Sequence, residues 1–433
     1  MEIKDKLVNL VVRFNERSFI KILQQTMIIL FPVAVVGSFA WIISDNLLST
    51  SGFLANMFQI RRWVPQLKFF RLLFNDAQIV TIGWMSIYAS FVGAYLTTRY
   101  YQQNNILAGI TAIISYGLIF HHSIRGSQMI ETRYFSIGWF IISATLGYLI
   151  GLIFVKWGSK IEDSSGNLNK EQLMEKAWQN LRITTLILVG AFVLHLAYAV
   201  WRSFNLDAVT SQVLSSTISH NSNYVLNITL SLFNTVFVWL GFAEPINLVA
   251  GAYNNEISNN LTYALTHKTL ANVPYPFTPS SLYNGFANFG GVGVTLALVI
   301  GILWVSQHHG NEKIAGISIF PAIFNTGVPI LFGAQVFLNP IYLIPFICLP
   351  ILNMLIASLF IYFHVIPAVV YPTLNGTPGI LVPFIGTGGN WIALLVSVIL
   401  VIIDTIIYIP FIKFSFDVEN RLSNQRGEQN GIE

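Results

Sequence analysis

Ile319-Phe320-Pro321-Ala322-Ile323-Phe324-Asn325-Thr326-Gly327-Val328-Pro329-Ile330-Leu331-Phe332-Gly333 is apolar nearly throughout, yet it contains two prolines and two glycines. Proline removes a backbone donor and clashes with the preceding turn, so the stretch does not form one uninterrupted membrane helix. Irregular backbone at membrane depth is tolerated only where protein or a water-filled cavity covers it. Broken apolar segments of this kind point to the binding site of a transporter. The stretch is therefore read as a re-entrant hairpin, spanning about residues 316–335.

The rest of the chain supplies the membrane context. Its 433 residues are 54% hydrophobic and 10% charged, against roughly 25% charged in soluble domains, and the mean hydropathy is +0.63. Apolar runs of bilayer-spanning length, about 20 residues, recur from end to end. The formal net charge of +4 is small and gives no reason to expect nucleic acid as a partner. Basic residues gather in the N-terminal arm (Lys4, Lys6, Arg13, Arg17, Lys21) and again at Lys413, Arg421 and Arg426. Basic flanks favour the cytoplasmic side, so both termini are expected there, with an even number of spans. Arg61, Arg62, Lys68 and Arg71 fall in an outer loop of that topology and are read as an interfacial amphipathic segment. The single cysteine, Cys348, excludes an intrachain disulfide and a cysteine metal site; it is expected as a small buried hydrophobe. No residue group has metal-ligand spacing, no cofactor is expected, and no cleavable signal peptide is visible.

Spans are expected near 20–45, 78–99, 106–121, 135–156, 183–202, 224–243, 286–306, 339–363, 379–387 with its flanks, and 391–413. Residues 1–18 and the segment around Leu173, Ala177, Trp178 and Leu181 have amphipathic helical spacing and read as helices on the membrane surface. A second re-entrant segment is expected from Gly241 to Gly251, around Pro245. Residues 419–433 are a polar, frayed cytoplasmic tail. Nothing in the chain reads as a soluble phosphocarrier or nucleotide-binding module, and Gly290-Gly291-Val292-Gly293 lacks the lysine and context of a phosphate loop.

Several of these segments together resemble a known family. Leu30-Phe31-Pro32-Val33-Ala34-Val35-Val36-Gly37-Ser38-Phe39 is similar to the first span of the membrane (IIC) component of bacterial phosphotransferase sugar transporters, lactose/cellobiose family. The likeness continues in order through Phe289-Gly290-Gly291-Val292-Gly293-Val294-Thr295-Leu296-Ala297-Leu298, the 319–333 stretch, and Phe337-Leu338-Asn339-Pro340 with Ile344-Pro345-Phe346. It ends with Pro350-Ile351-Leu352-Asn353, Gly386-Thr387-Gly388-Gly389-Asn390-Trp391 and Tyr408-Ile409-Pro410-Phe411. The resemblance implies an all-α polytopic membrane protein: a homodimer of protomers with about ten transmembrane helices, two re-entrant hairpins and surface amphipathic helices. It also implies a single domain over residues 1–418, with a dimer-forming half at about 1–180 and a sugar-carrying half at about 181–418. The bacterial cytoplasmic membrane, a sugar ligand, and separate IIB and IIA phosphocarrier partners follow from the same resemblance, with the sugar phosphorylated at its 6-position.

The signature residues depart from the family at two points. Family members carry Phe-Asn-x-Asn-Glu-Pro in the second hairpin, with the glutamate taking sugar hydroxyls. Here Phe324, Asn325 and Pro329 match, but Gly327-Val328 replaces the Asn-Glu pair. Valine accepts no hydrogen bond and takes no proton, and residues 316–363 contain no Asp, Glu, Lys, Arg or His. In the first hairpin Ala243 stands at the family's histidine position and Glu244 follows it. Glu244 is the only Asp, Glu, Lys, Arg or His from 224 to 252. A carboxylate at membrane depth is a functional-site candidate; the alternative is a capped structural glutamate at a helix end.

Asn247, Asn325, Thr326, Asn353 and Thr377 complete the candidate substrate site. Amides donate and accept, which suits sugar hydroxyls, and equally suits helix-to-helix bonds for Asn353. His195 is expected as a packed, hydrogen-bonded residue, and Asp404 as a helix-contact residue or a substrate-coupling one. Two functions remain open at this stage. One is a IIC-type permease for a disaccharide or glycoside, the membrane subunit of a phosphoenolpyruvate-dependent phosphotransferase with no catalytic residue of its own. The other is an IIC-like facilitator, membrane partner or sensor uncoupled from phosphorylation.

Overall fold

The computed structural model describes residues 2–121, 132–158, 170–203, 224–245, 254–305 and 309–430. Among these residues the chain is helical, with no strand and one isolated bridge, Gly52 to Asn375. Six helical segments are long and apolar enough to cross a membrane: Ser18–Leu47, Leu67–Tyr100, Ile137–Trp157, Ala177–Val200, Pro340–Tyr362 and Trp391–Leu422. Ile106–Phe120, Tyr224–Trp239 and Thr295–Val305 are shorter apolar helices. The all-α membrane architecture is thus the one expected. The helices used below are α1 (Glu2–Asn15), α2 (Ser18–Trp41), α3 (Leu67–Thr81), α4 (Met85–Tyr100), α5 (Ile106–Phe120), α6 (Phe140–Trp157) and α7 (Lys170–Ser203). They continue with α8 (Tyr224–Trp239), α9 (Asn254–His267), α10 (Thr295–Val305), α11 (His309–Ile323), α12 (Val328–Gly333), α13 (Pro340–Tyr362), α14 (Val382–Gly386) and α15 (Trp391–Asn430).

The chain divides into two compact units that interleave along the sequence. One comprises Met1–Val12, Ala34–Ile79 and Gln212–Glu433; the other comprises Arg13–Val33 and Val80–Ser211.

In the second of these units α4 and α6 touch through small residues. A Cβ on Gly147 would lie 2.4 Å from the Ser90 carbonyl oxygen, and one on Gly151 would lie 2.5 Å from Thr97 Cβ. Lipid supplies little hydrophobic drive between helices, so such close backbone approach and its dispersion contacts hold membrane helices together. Beside them Tyr116, Phe120, Tyr134 and Phe135 form a buried aromatic cluster, with the Tyr116 hydroxyl donating to the Tyr134 carbonyl. His195 Nδ1 lies 3.2 Å from the Ile119 carbonyl and its ring stacks on Phe192, in line with the packed residue expected.

In the other unit α1 lays Val8, Val11 and Val12 against Ile341 and Val418. Arg421 of α15 pairs with Asp5 and donates to Asn9 at 3.0 Å. The segment that follows α2 docks on a loop far along the chain. Phe53 N–H donates to the Asn375 carbonyl (2.9 Å), Asn375 N–H donates to the Ser51 carbonyl (3.0 Å), and Asn46 Nδ2 donates to the Gly376 carbonyl (2.8 Å).

Five expectations are corrected. The segment expected as a separate surface helix around Leu173–Leu181 runs without a break into the next span as α7, because no glycine or proline interrupts it before Gly190. The tail expected to fray from Glu419 onward continues as helix to Asn430, anchored at Arg421 by the N-terminal helix. Cys348 is exposed rather than buried, since the lipid-facing side of a span is as apolar as its core side. The expected span at 286–306 is broken into a π-helix, Ser280–Ala287, a glycine turn and α10. The expected span at 379–387 is a short 3-10 turn plus the five-residue α14, far shorter than the ~30 Å hydrocarbon core at about 1.5 Å per residue. The basic stretch near residue 70 forms the amphipathic α3, and Arg71 meets Asp45 at 3.6 Å.

Candidate functional site

The 319–333 stretch folds as a hairpin. Phe324 and Thr326 N–H groups both return to the Pro321 carbonyl, at 3.1 and 2.9 Å, and Asn325 N–H reaches the Ala322 carbonyl at 3.1 Å. This closes α11. Asn325 takes the left-handed conformation, φ +60°, which asparagine tolerates better than most residues. Gly327 then caps α12, with Pro329 in its first turn. That is the position where proline's missing N–H costs nothing.

Asn325 is the knot of three segments. Its Oδ1 accepts from Gly290 N–H at 2.9 Å and its Nδ2 lies 3.4 Å from the Thr377 carbonyl. The glycine turn comes close enough for this because Gly290, Gly291 and Gly293 all have positive φ. A Cβ on Gly290 would lie 2.3 Å from Leu296 N. Buried Val294 shares the turn at φ +53°, a conformation that costs a branched residue on the order of 1–3 kcal/mol and is held only by well-determined surroundings. One such support is Tyr408, whose hydroxyl donates to the Gly293 carbonyl at 2.6 Å. On the third side Gly379 admits the pair, since a Cβ there would lie 2.5 Å from Asn325 Oδ1 and 3.0 Å from the Asn288 carbonyl.

The candidate residues distribute as follows. Asn325, Thr326 and Thr377 come together at this knot. Thr326 is 8% exposed and its hydroxyl has no hydrogen-bond partner among the described residues. The Thr377 hydroxyl donates to its own loop at the Leu374 carbonyl (2.7 Å), so the Thr377 carbonyl is what faces Asn325. Asn353 is elsewhere, fully buried between α13 and α15, where its Nδ2 donates to Asp404 Oδ2 at 2.8 Å. Asp404 is thereby a helix-contact residue. Asn247 lies outside the described residues. Val328 is half-buried in the first turn of α12.

Glu244 lies in irregular chain just past α8, after Gly241 turns left-handed at φ +86° and ends the helix. It is exposed. Tyr283, a residue that sequence reasoning passed over, is buried in the π-helix Ser280–Ala287, and its hydroxyl has no hydrogen-bond partner among the described residues. Of the re-entrant segment expected at Gly241–Gly251, residues 246–251 lie outside the described residues. The end of α8 is tied to the turn before α13: Leu338 N–H donates to the Trp239 carbonyl (3.0 Å) and Trp239 Nε1 donates to the Asn339 carbonyl (3.2 Å). Among the described residues no group of His, Cys, Asp and Glu is arranged to hold a metal ion.

Among the described residues this arrangement offers neutral hydrogen-bonding groups and one carboxylate. The family model for the phosphotransferase system, EIIC, matches residues 24–350. The cellobiose-specific EIIC component of Lactococcus lactis subsp. lactis (strain IL1403) is 36% identical over 130 residues, which is 30% of this chain and 26% of that protein. The lactose-specific EIICB component of Staphylococcus aureus (strain N315) is 37% identical over 125 residues, 29% of this chain and 22% of that protein. Each match thus spans roughly a quarter of the relative's length. The crystal structure of the transporter ChbC, the IIC component from the N,N'-diacetylchitobiose-specific phosphotransferase system, aligns over 99% of this chain and 100% of that one, at 17% identity and a TM-score of 0.43.

Proposed function

The chain belongs to the phosphotransferase-system EIIC family, and on that premise we propose that it is a IIC-type permease carrying a neutral sugar across the bacterial cytoplasmic membrane. The cargo is a disaccharide or glycoside, and cellobiose and lactose, named for the relatives, are the first to try. Separate IIB and IIA proteins phosphorylate it during transport. The protein works as a homodimer whose contact lies in the N-terminal half, with both termini in the cytoplasm. The observation that carries the reading is the knot at Asn325, where the second hairpin, the glycine turn and the 377–379 turn meet around polar groups. Hairpins of this kind hold the ligand near the midplane while one half of the transporter moves against the other.

Glu244 is the ligand-binding carboxylate in this reading. It accepts hydrogen bonds from sugar hydroxyls in place of the acid missing at Val328. Asn247, Thr326 and the carbonyl of Thr377 complete the polar lining, and Asn325 holds the lining in place. Glu244→Gln, which keeps one acceptor oxygen, weakens sugar binding less than Glu244→Ala. Equal, wild-type-like affinity of both variants in calorimetric titration would remove Glu244 from the site.

A second reading is favoured by Val328 itself, which takes no proton from an attacking hydroxyl. In that reading the protein moves or senses a sugar without phosphorylating it. Uptake into vesicles, with and without a phosphoenolpyruvate-driven IIA/IIB supply, separates the two. Accumulated sugar phosphate supports coupling, and equilibration of free sugar supports the facilitator.

A further inference from the structure

Asn353 and Asp404 are both fully buried and are joined by a hydrogen bond, Nδ2 to Oδ2 at 2.8 Å. Each still has an oxygen without a partner among the described residues, Asn353 Oδ1 and Asp404 Oδ1. With the acid ionised both of these oxygens can only accept, so neither satisfies the other. Buried polar groups are rarely left in that state. One proton on the acid removes both deficits, because a protonated carboxyl gains an O–H donor. Carboxyl and amide then exchange bonds in both directions, and the pair closes into a neutral ring.

The surroundings offer no other remedy. The segments packed against α15 include α10, α13, α14 and the turn Gly379–Leu381, and none of these contains Asp, Glu, Lys, Arg or His. Their titratable groups are the phenols Tyr342 and Tyr362 and the thiol Cys348, all on α13. On α15 itself Tyr408 lies one turn from Asp404, and the nearest charged residue along the helix is Lys413, about 13 Å on. Helices α1 and α11 meet α15 at Arg421 and Glu419, about four turns away. Among these described groups no cation is placed to neutralise a carboxylate, and a bare charge so buried takes a proton instead. A metal ion is the poorer occupant, since hard cations take about six oxygens and the pair offers two.

The pair sits behind the glycine turn. Tyr408, on the face of α15 that carries Asp404, donates to the Gly293 carbonyl at 2.6 Å. Phe346, two turns before Asn353 on α13, presses on the same glycine, where a Cβ would collide with its ring. The turn that holds Asn325 is therefore gripped between α13 and α15, and Asn353 and Asp404 tie those two helices together.

We propose that Asn353 and Asp404 form a proton-binding site: Asp404 is a carboxylic acid whose O–H donates to Asn353 Oδ1, and the bound proton holds α13 and α15 closed on the glycine turn. Ionisation breaks the O–H bond, returns the proton to water and sets a carboxylate oxygen against an amide oxygen. That parts the helices and loosens the turn behind Asn325. The hairpin at 319–333 is thereby made sensitive to pH by a pair outside it.

The test is infrared difference spectroscopy of the full chain in detergent at neutral pH, paired with denaturant unfolding across a pH series. Subtracting the Asp404→Asn spectrum from that of the wild type leaves the C=O band of a protonated carboxylic acid. The band moves to higher frequency in Asn353→Leu, where the acid's carbonyl loses its donor. Asp404→Asn is a neutral isostere and keeps a paired ring at every pH. The folded wild type holds a proton that the unfolded chain releases, so its unfolding constant rises relative to Asp404→Asn by about tenfold per pH unit, until the folded chain gives the proton up as well. An ionised carboxylate in place of the acid band, or parallel pH profiles, overturns the proposal. An Asp404→Asn variant that fails to fold does so too, because the negative charge would then be required. Stabilisation of the wild type, but not of Asp404→Asn, by sodium or lithium ions assigns the site to a metal cation and also overturns it.

Discussion

Replacing Asn325 separates a residue that organises the site from one that merely lines it. In Asn325→Ala the Gly290 N–H loses its acceptor at 2.9 Å while remaining in buried backbone. An orphaned buried donor costs about 1–3 kcal/mol. The second bond, 3.4 Å to the Thr377 carbonyl, exceeds the usual range of about 2.7–3.2 Å and adds little. The backbone adds its own penalty, because φ is +60° and alanine in the left-handed region costs on the order of 1 kcal/mol more than asparagine. The total is about 2–4 kcal/mol. Asn325→Gly loses the same bonds but accepts the conformation freely, so it falls about 1 kcal/mol short of the alanine variant. Gly379→Ala approaches the same knot from the other side, its methyl meeting Oδ1 at 2.5 Å, and its cost shrinks in the Asn325→Gly background because the two sites are coupled. Denaturant unfolding in detergent, followed by tryptophan fluorescence, reads the four variants against the wild type. Unfolding of Asn325→Ala at the wild-type midpoint, or of Asn325→Gly at lower denaturant than Asn325→Ala, would refute the reasoning and return Asn325 to the role of simple ligand contact.

The same unfolding assay tests a second site. Asn353→Leu leaves the fully buried Asp404 side chain without its donor and destabilises by about 1–3 kcal/mol; Asp404→Leu added to it restores most of the loss, and a double variant no better than the single would contradict the pairing. Gly147→Leu forces its side chain into the Ser90 carbonyl, already 2.4 Å from a bare Cβ, whereas Gly190→Leu meets nothing within 4 Å. Folded, monodisperse protein is therefore expected from the second variant and lost in the first, as read by size-exclusion chromatography.

The broken helix at 319–333 was legible because proline and glycine act locally: Pro321, Gly327 and Pro329 dictate where α11 ends and α12 begins. The departures at Ala243 and Val328 were equally legible as residue types. The function of Asn325 as an internal tie was not, because its partners Gly290 and Thr377 are brought near only by the tertiary fold. Tyr283 escaped notice for a related reason. A tyrosine in an apolar run reads as packing, and only the π-helical register and the unpaired hydroxyl distinguish it. Burial was the least readable property: Cys348 and Asn353 both sit in α13, yet one faces outward and the other is sealed against Asp404. In a span whose lipid-facing side is apolar too, hydrophobicity marks the membrane and not the core.

The docking of Ser51 and Phe53 on Asn375 has a consequence for biogenesis. The residues around 42–57 leave the ribosome and enter the bilayer long before their partner loop at 372–378 exists, and domains generally assemble in the order of synthesis. During that interval Asn46 and the backbone of 51–53 are without their final partners, and non-local closure of this kind is slow. The early segment must be sheltered by lipid headgroups, by the insertion machinery or by temporary neighbours until the last third of the chain arrives. Pulse-chase proteolysis of nascent chains arrested before residue 370 should find residues 42–57 accessible, and chains extended past 380 should find them protected.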